Sequence, residues 1–407
     1  MAVLDEWQAA DSDPDNDWGS DTGSHTGLLK GTFLDDIQLP DDPTPGQEEG
    51  EAILDPTGQR LFDPRNIRHP RSGDWTPPDH LSKFMHRWLR KPLDKTMFPK
   101  PNQTAIPEFF LSGFQLLHRP KIIFFSALLV VYMMTLTGNL LIITVVLVTR
   151  FLHSPMYFFL SHLSLCDIIV TTTIIPNFLY ITLKNGSHMT VSQCTVQLNF
   201  FAVSTTTESL LLTVMSYDRY VAVCKPLHYI TIMNFPFCLG LVLLSWAWGT
   251  CIIMIITILL NKLHYCYSTH IDHFFCDFAP LVQLSCSDTT VVQTVVFTTA
   301  IAETVIEPML IISTYVSIFL AIHRISSTTG RQKAFSTCSS HLTAVCFFYG
   351  TLIAVYAVPT GERSSGMNKI VSLMYTVVTP LLNPMIYSLR NRDIKTAFLK
   401  LLKMKSC

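Results

Sequence analysis

The residues that could do chemistry in this chain are few, and most sit inside apolar runs. Asp218 and Arg219 stand side by side at the end of one such run. Tyr220 follows, and Lys225-Pro226 ends the helix because proline has no backbone donor. Charges at the edge of a hydrophobic span must pair or face water. An adjacent acid and base there can act as a latch that a partner opens, or simply as an ion pair that anchors the helix. Asp167 and Glu208 lie deeper, Glu208 about three helical turns before Arg219. Each should face the interior of a bundle and find a partner there, and the two could share a proton. Glu303 and Glu307, four apart and hence on one helical face, form a third acidic site. Leaving a buried carboxylate unpaired is costly. Glu303 therefore either meets a cationic ligand such as an amine or is an uncharged acid hydrogen-bonded between helices, and the second reading is favoured.

Catalytic sets are missing from the sequence. It has no phosphate-cradling glycine loop, no H-E-x-x-H, no G-x-S-x-G, and no basic patch interleaved with aromatics. Neither an enzyme nor a nucleic-acid partner is indicated. The inverted repeats and glycine-broken half-helices of transporters are not seen either.

These groups must be positioned by a membrane domain. Of the 407 residues, 49% are hydrophobic and only 14% charged, where a soluble domain carries about a quarter charged. The net charge of −1 sums two unlike parts, −9 over residues 1–96 and +8 over residues 97–407. Residues 1–96 read as a disordered N-terminal extension, too polar to offset the entropy of ordering. Seven apolar runs follow, near 122–148, 155–183, 194–223, 236–260, 291–322, 333–358 and 367–389, each long enough to cross a bilayer at about 20 residues. The fold class is thus all-α: a seven-transmembrane bundle over 122–389, preceded by an extracellular segment at 97–121. A tail at 390–407 carries a short amphipathic eighth helix, with Ile394, Phe398 and Leu402 on one face toward membrane lipid.

Placing the amino terminus outside gives the inner connections and tail the excess of Lys and Arg, from Arg150 and Lys225 to Lys405, as the positive-inside rule requires. Both sequons, at Asn102 and Asn185, then face the lumen where glycosylation occurs. Of 11 cysteines, Cys194, Cys266, Cys276 and Cys286 also face the lumen, and four cysteines allow three pairings. Cys166, Cys251 and Cys346 read as small buried hydrophobes.

Several stretches are specific enough to carry a resemblance. They are MFPKPNQTAIPEFFLSGF from Met97, LHSPMYFFLSHLSLCD from Leu152, MSYDRYVAVCKPLHY from Met215, the loop HYCYSTHIDHFFCDFAPLVQLSCSD from His264, KAFSTCSSHLTAVCFFYGT from Lys333 and PLLNPMIYSLRN from Pro380. In that order they resemble the olfactory receptors, a branch of the rhodopsin-like G-protein-coupled receptors, from about Met97 to Lys403. Ser216 and Val223 stand where that family usually has Ala and Ile, and Glu303 and Glu307 where it has uncharged residues. Nothing before Met97 resembles the family, which suggests an alternative upstream exon, a mis-joined gene model or a regulatory tail.

The resemblance implies a receptor for small odorants that activates a stimulatory, olfactory-type G protein and raises cyclic AMP. It implies disulfides Cys194–Cys276 and Cys266–Cys286. It implies a ligand pocket at Phe201, Ala202, Thr205, Thr206, Thr299, Glu303, Leu352, Ile353 and Tyr356. Activation is assigned to Asp218, Arg219, Tyr220, Tyr315, His341, Asn383, Pro384 and Tyr387, with His341 readable equally as a packing residue. A sodium ion between Asp167 and Glu208 is also implied. No other cofactor is expected.

Overall fold

The computed structural model describes residues 108–115, 118–266, 268–324, 328–357, 365–390 and 392–404. The extension expected at 1–96, the Asn102 sequon and the side chain of Tyr356 lie outside what is described.

Seven long helices form the bundle: α1 His118–Val148, α2 Pro155–Lys184, α3 Val191–Cys224, α4 Phe235–Asn261, α5 Thr290–Arg324, α6 Thr328–Ala357 and α7 at 365–390. The expected spans agree with these to within a few residues. An eighth helix, α8, runs from Arg392 to Met404 and buries Ile394 and Ala397, with Phe398 packed beside them. Local chemistry sets the helix ends. Pro155 opens α2, where its missing N–H costs nothing, and Asn185 closes it in the left-handed conformation. Thr190 caps α3 in a reciprocal pair, its hydroxyl accepting from Gln193 N at 3.2 Å while Gln193 Oε1 accepts from Thr190 N at 3.0 Å. Wide turns interrupt α5 at Ala302–Ile306 and α7 at Met374–Val378, just ahead of Pro308 and Pro380. Proline cannot donate to the preceding turn, and the widened backbone absorbs the mismatch.

The bundle is apolar outside and polar within. Ile123, Leu243, Leu244, Trp248, Met309 and Phe319 are well exposed, whereas Asn139, Asp167, Thr171 and Thr207 are fully buried. A water-soluble domain shows the reverse; lipid as the outer solvent explains it. Five helices among the described residues are long and apolar enough to cross a membrane. The third is not among them, being rich in Ser and Thr, but it packs against α2, α4, α5 and α6, so protein covers most of it. Cys166 is buried as expected. Cys251 and Cys346 are instead exposed, on outward sides of α4 and α6.

The disulfide-bearing end carries a three-stranded sheet that the all-α reading did not foresee. Strand β1 (Glu108–Leu111) lies between β2 (Ser187–Thr190) and β3 (His270–Ile271), antiparallel to β2 with Glu108 opposite Thr190, and parallel to β3 with Leu111 opposite Ile271. Both expected disulfides are present, Cys194–Cys276 tying the loop to α3 and Cys266–Cys286 closing the loop on itself. Beneath the sheet, Phe274 stacks on Phe178 at 4.3 Å and Phe275 meets Phe201 at 5.4 Å.

Two glycines permit close helix contact. A Cβ on Gly138 would stand 3.1 Å from Pro384 Cβ, so α1 runs hard against the proline of α7. A Cβ on Gly249 would stand 2.9 Å from Thr207 Oγ1 and 3.2 Å from the Val203 carbonyl, where α4 meets α3. Gly249→Ala is therefore expected to destabilise the bundle by about 1–3 kcal/mol and to lower the surface-expressed fraction. Gly240→Ala, with nothing within 4 Å, should leave both unchanged. Surface staining and thermal unfolding in detergent check the pair.

Candidate functional site

At the inner end of α3, Arg219 Nε donates to Asp218 Oδ2 at 2.9 Å, and the Nη2 group donates to the same oxygen. Tyr229, on a one-turn helix after α3, donates its hydroxyl to the other carboxylate oxygen, Oδ1, at 2.7 Å. Asp218 is fully buried, so both of its oxygens are satisfied within the protein. Tyr229 was not singled out in the sequence, although it lies in the same motif. Its hydroxyl pKa is raised by burial and by the Asp218 charge, which keeps it a donor.

Above the pair, His341 on α6 is buried between two helices. Its Nε2 lies 3.1 Å from the Leu212 carbonyl of α3, which can only accept, so Nε2 carries the proton. Nδ1 then accepts from the Tyr315 hydroxyl of α5 at 2.6 Å. Through these two contacts His341 joins α3, α5 and α6. Tyr220 is half-buried and packs with Ile318, Ile322 and Cys338. Tyr387 on α7 is fully buried, and its hydroxyl has no partner among the described residues.

Asp167 on α2 and Glu208 on α3 meet through Asn383 on α7. The Asn383 amide nitrogen lies 3.1 and 3.2 Å from the two Asp167 oxygens and 2.9 Å from Glu208 Oε1. Pro384 leaves the Pro380 carbonyl without its helical donor, and Asn139 of α1 supplies one through Nδ2 at 3.2 Å. One polar cluster thus ties α1, α2, α3 and α7 at mid-bundle.

The acids of α5 turn to different neighbours. Thr206 on α3 donates to Glu303 Oε1 at 2.7 Å, and Tyr349 on α6 donates to Glu307 Oε2 at 3.0 Å. Both carboxyl groups are hydrogen-bonded between helices. Among the other pocket residues, Phe201, Thr206 and Leu352 are buried, Ala202, Thr205 and Thr299 are partly so, and Ile353 is half-exposed. Thr205 and Thr299 spend their hydroxyls on their own helix, at the Phe201 and Val295 carbonyls. Asn185 is exposed, its Oδ1 accepting from Lys121 at 3.0 Å.

A cluster not foreseen in the sequence locks the outer cap. Lys369 at the start of α7 is 7% exposed and donates to Asp272 Oδ1 at 2.5 Å and to the Gly113 carbonyl at 2.8 Å. Ser112 donates to the same Asp272 oxygen at 2.7 Å. Beside them His273 Nε2 lies 3.2 Å from Ser372 Oγ. The amino-terminal segment, the long loop and α7 thereby converge on one buried ammonium. A lysine and an aspartate 97 residues apart give no local signal of their pairing.

Seven long helices around a polar core, with an acid–base–tyrosine triplet at the inner end of the third and Asn-Pro in the seventh, define a rhodopsin-like seven-transmembrane receptor. A family profile described as olfactory receptor matches residues 128–405. The chain is 44% identical to olfactory receptor 1G1 of Gorilla gorilla gorilla over 301 residues, 74% of this chain and 96% of that protein. It is 43% identical to olfactory receptor 11L1 of Homo sapiens over 304 residues, 75% of this chain and 94% of that one. Olfactory receptor 1468 of Rattus norvegicus is 42% identical over 304 residues, 75% and 97%. The chain belongs to the olfactory receptor family, whose members are non-enzymatic, multi-pass membrane receptors.

The cap should be sensitive to acid. Burial, with the nearby Lys369 charge, lowers the His273 pKa to about 3. The folded loop keeps this ring neutral, while the unfolded chain takes up a proton below about 6.5. Stability is therefore complete above that value and is lost as pH falls toward 3. Between pH 7.5 and 5.5 the loss from this one group is expected to be about 1 kcal/mol. His273→Phe should remove that part of the pH dependence of the apparent Tm of the purified receptor.

Proposed function

We propose that this receptor is gated by small odorants from the side that carries the disulfides, with its amino terminus outside and α8 inside the cell. On this reading the odorant occupies the outer halves of α3, α5, α6 and α7, near Phe201, Thr206, Glu303 and Leu352. An apolar site with a few hydroxyls suits small, sparingly soluble molecules, which gain by leaving water. Asn185, and Asn102 before it, are the glycosylation sites of the outer face.

The observation that carries this reading is the state of Arg219. Its guanidinium is held by Asp218, which Tyr229 holds in turn, so the group that would meet a G protein is withheld at rest. An odorant opens the site only by binding the open state more tightly than the closed one. Opening moves the inner end of α6, frees Arg219 for a stimulatory, olfactory-type G protein and raises cyclic AMP. The test is a cyclic-AMP reporter screen with odorant panels, run on the full chain and on a shortened chain starting at Met97. Odorant-dependent signals from both are expected, and Arg219→Ala should abolish them at unchanged surface level. A receptor that reaches the surface and answers no odorant would overturn the reading.

We also propose that sodium binds between Asp167 and Glu208 in the closed state, in competition with the Asn383 N–H. Two carboxylates are hard oxygen donors suited to a hard cation. Replacing choline chloride by sodium chloride at equal ionic strength should raise the apparent Tm of the purified receptor, and Asp167→Asn should abolish that rise.

A further inference from the structure

Between the outer halves of α2 and α3 lies a groove of about 920 Å³, and none of the residues assigned to odorant binding lines it. Each helix contributes one face to it. Thr173, Pro176, Asn177 and Tyr180 follow the i, i+3, i+4, i+7 pattern on α2, and Gln193, Val196, Gln197 and Phe200 follow it on α3. The strand β2 roofs it, with Asn177 Nδ2 lying 3.2 Å from Met189 Sδ. The base is fixed, because Gln197 donates to the Thr173 carbonyl at 3.1 Å and accepts from Cys276 N at 3.0 Å. The groove is therefore part of the fold.

Its walls and its mouth differ in chemistry. Val196 and Phe200, at the outer end of α3, are 54% and 57% exposed, on the one side where that helix leaves the protein core and meets lipid. From Gln193 to Phe200 the wall runs about 10 Å into the membrane. At the mouth, the Tyr180 hydroxyl and Asn177 Oδ1 have no hydrogen-bond partner among the described residues, and Gln193 uses only its Oε1 and its backbone N–H. No Lys or Arg lines the groove. The one basic side chain at the mouth, His188, lies 3.8 Å from Glu108 Oε2, so a phosphate headgroup would find no fixed cation there, whereas a single hydroxyl would find both donors and acceptors. Flat apolar surfaces on Pro176 and Phe200 suit a rigid ring system better than a mobile chain, since less conformational entropy is lost on binding.

We propose that this groove binds a membrane sterol. The sterol hydroxyl sits among Tyr180, Asn177 and Gln193, and the fused rings lie along Pro176, Val196 and Phe200. The assignment is independent of the odorant reading and of any pocket among α3, α5, α6 and α7.

The test uses the full-length receptor in phosphatidylcholine vesicles containing a photoactivatable cholesterol analogue, with labelled peptides mapped after irradiation. Labelling is expected to concentrate between residues 173 and 200 and to fall at least five-fold with excess cholesterol. Val196→Trp, which fills the groove, and Phe200→Ala, which strips its wall, should each reduce labelling at unchanged surface expression. Two substitutions are used so that a folding failure in one leaves the other to decide. Labelling spread evenly around the bundle would overturn the proposal. So would competition by added phosphatidylcholine equal to that by cholesterol, since any acyl chain would then serve, and so would labelling in this region that neither substitution reduces.

Discussion

Inside a lipid-embedded bundle a buried polar atom is costly unless it is paired, and the groups at mid-membrane here pair across helices. Asp167, Glu208 and Asn383 meet that constraint together, and their meeting sets how α2, α3 and α7 stand at mid-membrane. The same rule explains Asn139. Proline at 384 frees a carbonyl at 380, and the Asn139 amide of α1 supplies the missing donor. Gly138, one residue earlier, has no side chain and lets α1 approach near enough to do so. Each polar group that would be costly alone therefore fixes a contact between two helices.

The two ends of the bundle apply this constraint differently. The outer end is closed by covalent bonds and a buried ammonium: two disulfides hold the loop, and Lys369 draws the amino-terminal segment, the loop and α7 together. Its aromatic underside packs onto α2 and α3. Among the described residues the inner end is held by apolar packing, hydrogen bonds and one ion pair: Asp218 with Arg219, Tyr229 with Asp218, and His341 with Tyr315 and Leu212. Such contacts can be exchanged for others at modest cost, whereas a disulfide cannot. A receptor with a fixed outer cap and an exchangeable inner seal is suited to move where its partner binds.

Much of this was legible in the sequence because it depends on local composition. The seven spans follow from apolar run length, and the amphipathic eighth helix from its periodicity. Asp167 and Glu208 stood out as ionisable groups in apolar runs, and the resemblance paired the four lumenal cysteines as the structure does. Contacts between distant positions were not legible. Nothing around Lys369 points to Asp272, nor anything around Asn383 to two carboxylates some 175 and 216 residues away. The small sheet was missed because its strands, two to four residues long, are too short to show alternation and pair across distant parts of the chain. Cys251 and Cys346 were misplaced because a helix that meets lipid on one side exposes small apolar residues as readily as it buries them.

One amide between two carboxylates holds three helices in register. A double-mutant cycle in the thermal unfolding of the purified receptor tests it most directly, pairing Asn383→Leu with Asp167→Asn. Asn383→Leu alone is expected to be strongly destabilising, because it strands both carboxyl groups, and adding Asp167→Asn to recover part of the loss, a coupling of about 1 kcal/mol or more. Strictly additive effects, with no recovery in the double variant, would show that the three residues do not act together and would contradict it.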